Sequence, residues 1–366
     1  MRNGFRSHQK GLSVEPFSGH LGGPFLIQIT KANSALTDTR LDVLAIGDAV
    51  VDVIARAEDS FLAEERLVKG SMQVLDSDGA TRLYSKMSQA RETSGGSAAN
   101  TVAGVAALGR RAGFVGQVAA DQLGEIFIHD IRALGVEFLT PPKPDGLPTG
   151  RCLILVTPDA QRTMNTFRGA AHQLTVDALD AEQIRGSAIL YLEAYLWRSE
   201  GPRAAMNEAM RIAREAGRKV AFTLSDIACI GPHRSEIVAM LDGGAIDLLF
   251  ANEMEIMALA EADDMDGAIA AIQGKVRVLV VTCGAQGALA VEGGRRVTVP
   301  VARIGGGIVD TTGAGDLFAA GFLVGQAEGR SIEESLRIGS IAAAEIISHF
   351  GARPEANLRE LVDSQL

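Results

Sequence analysis

The stretch Asp310-Thr311-Thr312-Gly313-Ala314-Gly315-Asp316 runs directly into the apolar segment Leu317-Phe318-Ala319-Ala320-Gly321-Phe322. Two glycines ahead of such a segment predict a tight turn at the start of a helix, where backbone N–H groups converge and the helix dipole adds positive potential. A turn of this kind binds an anion. A carboxylate beside that anion, Asp316, is unfavourable unless it accepts a proton from an attacking hydroxyl. The alternative is a plain glycine turn in which Asp316 is an ordinary acidic residue of a first helical turn.

Upstream of this turn, apolar runs typical of strands alternate with segments that carry apolar residues at helical spacing. Strands separated by helices of roughly 10–15 residues predict right-handed β-α-β units that pack into a buried, mainly parallel sheet. The predicted strands are residues 41–46, 112–118, 188–192, 219–224, 246–250 and 276–281, and the predicted helices are residues 97–109, 121–134, 203–216 and a helix from Asn252.

Two regions interrupt this alternation. Residues 53–90 and 148–168 contain short extended runs without a long helix between them. Strand-rich insertions in an α/β body predict a small sheet that folds over one edge as a lid. Near the C-terminus we expect an antiparallel meander and then two helices, at residues 276–281, 287–291 and 296–299 and at residues 314–327 and 331–349.

Residues 1–40 differ from the rest of the chain. Five basic and two acidic side chains give them a local charge of +3, so the remainder of this chain, which is formally −10 in total, carries −13. They lack sustained periodicity, which predicts a poorly patterned extension before one domain at residues 41–366. A targeting or partner-binding arm is the alternative interpretation.

The composition excludes several classes of protein. The chain has 366 residues, 47% of them apolar, so a sizeable core is expected. Its acidic balance lacks the basic footprint of a nucleic-acid binder, and no apolar run approaches the length of about 20 residues that spans a bilayer. Three scattered cysteines, Cys152, Cys229 and Cys283, argue against a disulfide framework or a zinc cage and favour a reducing cytoplasm.

A second glycine pair, in Ser94-Gly95-Gly96-Ser97-Ala98-Ala99-Asn100, also precedes a predicted helix. The amide of Asn100 can donate and accept, which suits a polyol hydroxyl; the alternative is a turn in which Asn100 faces solvent. Gly47-Asp48-Ala49-Val50-Val51-Asp52 follows the first predicted strand, at the sheet edge where open α/β sheets bind ligands. Asp48 and Asp52 could accept sugar hydroxyls there or simply form turns.

Two further loops follow predicted strands. Asn252-Glu253-Met254-Glu255 is either a helix cap or, through Glu255, a group that organises water around Mg²⁺. Thr282-Cys283-Gly284-Ala285-Gln286-Gly287 could lie along a nucleotide. The phosphate loop GxxxxGK[ST], the dinucleotide fingerprint GxGxxG and the nucleophile elbow GxSxG are missing.

The order and spacing of these motifs resemble the ribokinase-like carbohydrate kinase family. The glycine pair with Asn100 is similar to the N-terminal signature of that family, and residues 310–316 are similar to its C-terminal signature. The resemblance covers residues 41–366 and implies a ribokinase-like kinase domain, a Rossmann-like α/β/α sandwich with a mainly parallel central sheet and a small β-sheet lid formed by parts of 53–90 and 148–168. It further implies ATP and Mg²⁺ as cofactors and leaves a monovalent cation open.

The resemblance also implies roles for individual residues. Asp316 would be the catalytic base, and the backbone of Gly313, Ala314 and Gly315 would form the anion hole. Substrate-binding positions are implied at Asp48, Asp52, Gly95, Gly96 and Asn100, and positions for ATP and Mg²⁺ at Asn252, Glu255, Thr282, Gly284 and Gly287. Mg²⁺ would be held through Glu255 and water and not by a cage of protein ligands.

Within the family the sequence is most similar to bacterial adenosine kinases, because residues 162–167 followed by Gly169-Ala170-Ala171 resemble their return from lid to body. We therefore expect phosphorylation of a nucleoside 5′-hydroxyl, adenosine to AMP, with Phe167 as a candidate to stack on the base. One alternative is a sugar kinase that acts on ribose or fructose, and another is a non-catalytic nucleoside sensor, for which Asp316 would have no use. No nucleic-acid or membrane partner is expected, and either a monomer or a homodimer is compatible with the sequence.

Overall fold

A computed structural model of the chain describes residues 39–159, 161–303, 305 and 307–366. The extension predicted for residues 1–40 lies outside these residues apart from Thr39 and Arg40. The strands are β1 Leu41–Ile46, β2 Val50–Arg56, β3 Met72–Val74, β4 Arg91–Gly95, β5 Ala112–Val115, β6 Val136–Phe138, β7 Gly150–Val156, β8 Arg162–Phe167, β9 Ser187–Glu193, β10 Lys219–Thr223, β11 Leu248–Asn252, β12 Val278–Thr282, β13 Ala288–Glu292 and β14 Arg295–Val299.

The helices lie between these strands and after the last of them. They are α1 Asp59–Glu64, α2 Ser77–Lys86, α3 Ser97–Ala107, α4 Gln122–Ala133, α5 Ala181–Arg185, α6 Ala194–Trp197, α7 Glu200–Glu215, α8 Ile227–Asp242, α9 Glu253–Ala260, α10 Met265–Ile272, α11 Ala314–Ala327, α12 Ile332–Ile346 and α13 Leu358–Gln365. None of the described helices is both long and apolar enough to cross a bilayer.

Nine strands form the large sheet, in the order β14-β13-β12-β11-β10-β9-β1-β5-β6. The seven strands from β12 to β6 in this order are parallel, and β13 and β14 are added antiparallel at one edge. Strands such as β1 are buried along their whole length, as expected where helices cover both faces of a parallel sheet. The predicted α/β/α sandwich and its C-terminal meander are therefore confirmed.

Helices cover both faces of the large sheet. On one face, α7, α8, α9 and α10 share a core with apolar residues of the strands, among them Leu190, Phe222 and Leu249. On the other face α3 and α11 pack so closely that a Cβ on Gly104 would lie 2.6 Å from Leu317 Cδ1. Since real Cβ atoms do not approach other atoms that closely, Gly104 allows these two helices to meet.

The small sheet has five strands in the order β3-β8-β7-β2-β4. Strands β3, β7 and β8 lie in the two regions predicted to be strand-rich, whereas β2 begins before residue 53 and β4 lies after residue 90. The predicted absence of a long helix there was wrong, because α2 has ten residues. Asp76 caps α2 by accepting a hydrogen bond from the backbone N–H of Gly79, and only Ala80 and Leu83 of the helix are buried. Two buried positions leave too weak an apolar pattern for α2 to be found from the sequence.

Three further elements differ from the predictions. The strand predicted at 112–118 ends at Val115, and the helix predicted at 331–349 ends at Ile346. Helix α8 was not predicted, because Gly231-Pro232 reads as a break although the helix continues through it. Beyond α12 the chain leaves the helix and turns back, since the buried Glu345 carboxylate accepts hydrogen bonds from the backbone N–H groups of Glu355 and Ala356. This turn brings residues 350–355 to the start of α11.

Candidate active site

A cavity of about 430 Å³ lies between the carboxyl ends of the central strands and one face of the small sheet. The large sheet contributes residues at the ends of its parallel strands, where such sheets present ligand-binding groups. The small sheet contributes every second residue of β2, β7 and β8, because successive side chains of a strand point to opposite faces. The predicted site residues that line this cavity are Asp48, Asp52, Gly96, Asn100, Asn252, Glu255, Thr282, Gly313, Gly315 and Asp316.

The turn before α11 has a conformation that requires glycine. Gly313 lies at a φ of +79°, and a Cβ there would come within 2.9 Å of Ala352 Cβ. The Asp310 carboxylate holds the turn by accepting hydrogen bonds from the backbone N–H groups of Thr312 (3.1 Å) and Gly351 (3.0 Å). Because α11 begins at Ala314, its first N–H groups have no partners within the helix, and the positive end of the helix dipole lies at the cavity. The N–H of Ala314 donates to the Thr311 carbonyl oxygen at 3.2 Å, and the N–H groups of the following residues are left. These are the groups that an anion needs.

Asp316 brings together the two glycine motifs, which are more than two hundred residues apart in the sequence. Its Oδ1 accepts a hydrogen bond from Ser97 Oγ (2.6 Å), and its Oδ2 accepts one from Asn100 Nδ2 (2.9 Å). Burial raises the pKa of Asp316, and the hydrogen bonds from Ser97 and Asn100 oppose part of that rise. A partly desolvated carboxylate that is held by two donors can take a proton from a hydroxyl in the cavity.

Asp52 lies beside this centre on β2. Burial raises its pKa to about 6, while the positive charges of Arg353 and Arg162 act in the opposite direction. Gly95 does not line the cavity, but a Cβ at this position would come within 2.4 Å of the Asp52 carboxyl carbon. Gly95 therefore contributes to the site by leaving room for Asp52.

Gly96 fills a space in which no side chain fits. It lies at a φ of +98°, and a Cβ there would come within 2.1 Å of the Asp48 carbonyl oxygen. Beneath it, the fully buried Glu193 carboxylate accepts hydrogen bonds from the backbone N–H groups of Asp48 (2.6 Å) and Ala98 (2.7 Å). Burial, followed by the charge of Asp48, raises the pKa of Glu193. Glu193 was not predicted, although a charged residue directly after an apolar strand is a signal that could have revealed it.

Two arginines also reach this centre and were not predicted to do so. Arg162, on β8 of the small sheet, forms an ion pair with Asp310 at 2.5 Å and donates a hydrogen bond to Thr312 Oγ1 at 3.2 Å. It therefore joins the small sheet to the turn before α11. Arg353, in the segment after α12, donates hydrogen bonds to Ser94 and Asn100. Arg162 opens the stretch 162–167 that carries the resemblance, but no role was predicted for it, and Arg353 lies in none of the motifs. Only the folded chain brings the two to this point.

Asn252 and Glu255 form a helix cap at the edge of the cavity. The Asn252 side chain accepts a hydrogen bond from the Glu255 backbone, and the Glu255 carboxylate accepts hydrogen bonds from the Asn252 backbone N–H (3.0 Å) and from Nδ2 (2.8 Å). The motif is therefore a helix cap, which was one of its two interpretations, and both side chains also line the cavity. Carboxylate oxygens accept more than one partner, so Glu255 fits a Mg²⁺ ion bound mainly by phosphates and water. Within the described ranges no three His, Cys, Asp or Glu side chains are grouped to enclose a metal.

Of the motif at residues 282–287, only Thr282, the last residue of β12, lines the cavity. Gly284 and Gly287 are not among the lining residues. Gly287 lies at a φ of +95°, and a Cβ there would come within 2.1 Å of the Val299 carbonyl oxygen. A glycine is therefore needed here because the residue before β13 lies directly against the end of β14.

Phe167 lies on the wrong face of the small sheet for a substrate contact. Met164 and Thr166 of β8 line the cavity, so the side chain of Phe167 points to the opposite face. There it is buried, and the Arg151 guanidinium lies 5.8 Å from its ring centroid. The structure does not bring Phe167 to the site, and the apolar wall is formed instead by Val50, Met72, Ile154 and Met164.

Known proteins share this architecture. The solved adenosine kinase from Sinorhizobium meliloti is 45% identical, covers 89% of this chain and 100% of its own, and superposes with a TM-score of 0.83. A probable sugar kinase from Rhizobium etli CFN 42 is 43% identical, with 89% and 98% coverage and the same TM-score. The adenosine kinase of Saccharomyces cerevisiae is 27% identical over 332 residues, which are 84% of this chain and 95% of that protein.

The family model of the pfkB family carbohydrate kinases matches residues 40–358. The match spans nearly all of the described chain, including both glycine motifs and the turn that carries Asp316. The chain therefore belongs to the pfkB family of carbohydrate kinases and is an ATP-dependent kinase that acts on an alcohol group.

Proposed function

We propose that this kinase transfers the γ-phosphoryl group of ATP to the 5′-hydroxyl of adenosine. The observation that carries this proposal is the apolar wall of the cavity, formed by Val50, Met72, Ile154 and Met164 opposite the carboxylates. A purine base needs such a surface to pack on, whereas a free sugar does not. The similarity to the S. meliloti adenosine kinase over the whole length of that chain supports the same acceptor.

Catalysis would rest on positioning and electrostatics. Asp316 accepts the proton of the attacking hydroxyl, while Ser97 and Asn100 hold its two carboxylate oxygens. The N–H groups at the start of α11 stabilise the phosphoryl group as its charge develops. Glu255 would hold Mg²⁺ through water, and the ion, when bound, would supply positive charge to the phosphates in addition to that of the glycine turn.

Asp52 is the proposed partner of the acceptor hydroxyls. An ionised carboxylate accepts hydrogen bonds and cannot donate one. Because burial raises its pKa to about 6, Asp52 acts as an acceptor alone only above that pH, and below it the protonated carboxyl group also donates. The small sheet, joined to the turn before α11 by Arg162, would act as a lid that excludes water from the transfer.

The test is the variant Asp316→Asn, assayed for ADP and AMP formation with adenosine. We expect kcat to fall by a factor of about 10² to 10⁴ while calorimetry still detects adenosine binding. The matched control is Asp266→Asn, which removes the same charge from an exposed side chain on α10 and should leave kcat unchanged. Activity of Asp316→Asn near that of the wild type would rule out the assignment of the base.

A sugar is the second candidate acceptor, and two cavity residues favour it. Arg168 and Arg198 both line the cavity, and the pKa of Arg168 is lowered by burial and then by the positive charge of Arg198. Two guanidinium groups facing each other suit an acceptor with several oxygen atoms. Assays with adenosine, inosine, ribose and fructose side by side distinguish the two candidates, and faster turnover of either sugar than of adenosine would replace the first proposal with the second.

A further inference from the structure

Arg353 occupies a position that connects the two halves of the active site. It lies in the segment after α12, which is fixed because the backbone N–H of Gly351 donates to Asp310. One guanidinium nitrogen, Nη2, donates to the carbonyl oxygen of Ser94 (2.7 Å) and to its Oγ (3.0 Å). The other, Nη1, donates to Asn100 Oδ1. Arg353 thus ties the C-terminal segment to the motif that supplies Asn100.

These contacts determine which way the Asn100 amide faces. A guanidinium group has donors only, so the atom of Asn100 that meets Arg353 must be the amide oxygen. The amide nitrogen is then directed to Asp316 Oδ2, at 2.9 Å. Without Arg353 the amide oxygen of Asn100 would lose this partner, and the hydrogen bond to Asp316 alone would hold the amide in its orientation.

Ser94, the partner of Arg353, is itself held by Asp130 of α4. The Asp130 carboxylate accepts hydrogen bonds from the backbone N–H of Ser94 (2.7 Å), from Ser94 Oγ (2.6 Å) and from Thr93 Oγ1 (3.0 Å). Because the Ser94 hydroxyl donates its one proton to Asp130, its oxygen is free to accept from Arg353. A continuous chain of hydrogen bonds therefore runs from Asp130 through Ser94, Arg353 and Asn100 to Asp316.

The charges around this chain favour the same arrangement. The cationic Arg353 lies among the carboxyl groups of Asp52, Asp130 and Asp316. Other ionisable groups that face this centre are Arg162 on β8, Cys152 on β7, Tyr191 and Glu193 on β9, and Tyr195 on α6. The positive charge of Arg353 acts on Asp52 and Asp316 together, and its removal would leave both carboxyl groups with less compensation in a buried setting.

We propose that Arg353 is a positioning residue for the kinase reaction, which orients Asn100 and through it the general base Asp316. This inference rests on the proposed role of Asp316. It does not depend on whether the acceptor is adenosine or a sugar.

The experiment compares Arg353→Met and Arg353→Lys with the wild type over a pH series, with the acceptor that the wild type turns over fastest. For Arg353→Met we expect kcat at neutral pH to fall by a factor of about 10 to 100, because the base and its donor are misplaced. The acidic limb of kcat should move up by about one pH unit, because a neighbouring cation has been lost. The KM for ATP should stay within about twofold, since Arg353 does not contact the helix cap at Asn252.

Arg353→Lys separates orientation from charge. A single ammonium group keeps the positive charge but cannot hold Ser94 and Asn100 in the fixed fork of a guanidinium. Its acidic limb should therefore stay near that of the wild type while its kcat remains reduced. A purely structural role for Arg353 would lower the melting temperature of both variants without moving the pH profile of the folded enzyme.

A control variant and a second variant of the same hydrogen-bond chain accompany Arg353→Met. Arg337→Met removes an exposed arginine of α12 that pairs with Glu333, and it should leave kcat and the pH profile unchanged. Asp130→Asn weakens the far end of the hydrogen-bond chain, with Ser94 and Arg353 between it and Asn100. It should lower kcat, as Arg353→Met does. Unchanged kcat and an unchanged acidic limb in folded Arg353→Met would overturn the proposal.

A measurement without turnover distinguishes this failure from a failure of the proposed function. Aspartate labelled with ¹³C at the side-chain carboxyl, with Asp316→Asn used to assign the resonance, reports the titration of Asp316 directly. We expect Arg353→Met to raise its midpoint by about one unit. An unchanged midpoint refutes the role of Arg353, whereas turnover of another acceptor in place of adenosine refutes only the proposed acceptor.

Discussion

Gly96 offers the sharpest test of how the backbone shapes this site, through the substitution Gly96→Ala. The glycine precedes α3 at a φ of +98°, a conformation that costs a residue with a side chain about 1–2 kcal/mol. The new Cβ would also lie 2.1 Å from the Asp48 carbonyl oxygen, where contacts under 3.0 Å do not occur. The segment with Asp48 and the segment with Gly96 must therefore separate by about 0.9 Å. That movement displaces Ser97 and Asn100, the two donors to Asp316.

The matched control is Gly109→Ala at the other end of the same helix. Gly109 has a comparable φ of +77°, but a Cβ there would meet nothing within 4 Å. It should cost only the backbone strain, about 1 kcal/mol of the free energy of unfolding, and leave kcat unchanged. Gly96→Ala should cost more than this and lower kcat by about 10²-fold, because a misplacement near 1 Å has such an effect on a catalytic group.

Both variants would be measured by urea unfolding and by steady-state kinetics with saturating ATP. We expect the close contact at Gly96 to act on catalysis, so that the two variants differ mainly in kcat, since the backbone strain is shared and only Gly96 is next to the donors of Asp316. Equal kcat values for Gly96→Ala and Gly109→Ala would refute it. A loss at Gly96 in stability alone would refute it too, because the contact with Asp48 would then be structural and not catalytic.

Two further predictions concern Asp52 and the small sheet. The Asp52 carboxyl has an ordinary pKa of 3.8 that burial raises to about 6; the folded state therefore binds the proton more tightly, and the wild type loses stability as the pH rises through this window. In urea unfolding, Asp52→Asn should accordingly gain roughly 2 to 3 kcal/mol more stability relative to the wild type at pH 7.5 than at pH 4, and an equal effect at both pH values would contradict the buried charge. On β8, Met164→Ala should raise the KM for the acceptor by about tenfold through lost apolar contact, whereas Phe167→Leu should lower only the melting temperature; the reverse pattern would contradict the assignment of the two faces.

The part of the site that could be predicted is the part coded by local backbone geometry. Gly96 and Gly313 both have a positive φ, and both stand where a Cβ would collide with another segment. Only glycine meets both conditions, so these positions can be recognised in the sequence. A helix that begins directly after such a glycine indicates where a ligand can approach the backbone. Asp316 and Asn100 could be identified because each lies within a few residues of one of these turns.

The residues that were missed act through contacts between distant segments. Glu193 receives hydrogen bonds from the loop after β1 and from the start of α3, and Arg353 arrives from the end of the chain. Each is an isolated charged residue in the sequence, with no fixed spacing to its partners. Their roles come from burial, which makes an unpaired charge costly and so requires the partners that the fold supplies.

Phe167 is a residue that the sequence predicted at the site and the structure places elsewhere. An alternating strand has two faces, and the pattern of residues 162–167 does not state which face meets the ligand. The packing of α2 against one face, where Arg151 donates to Thr81, decides that Phe167 belongs to the core of the small sheet. The neighbouring Met164 and Thr166 thereby become the ligand-facing residues.

By itself the sequence determined the alternating α/β body, the two glycine turns and the carboxylate that follows one of them, because periodicity and positive φ are properties of short segments. The tertiary structure alone decided that the two turns face each other across Asp316, that Arg162 and Arg353 supply positive charge to an acidic chain, and which face of the small sheet closes the cavity. These features depend on how segments far apart in the chain are brought into contact, and burial at those contacts fixes which polar groups must pair.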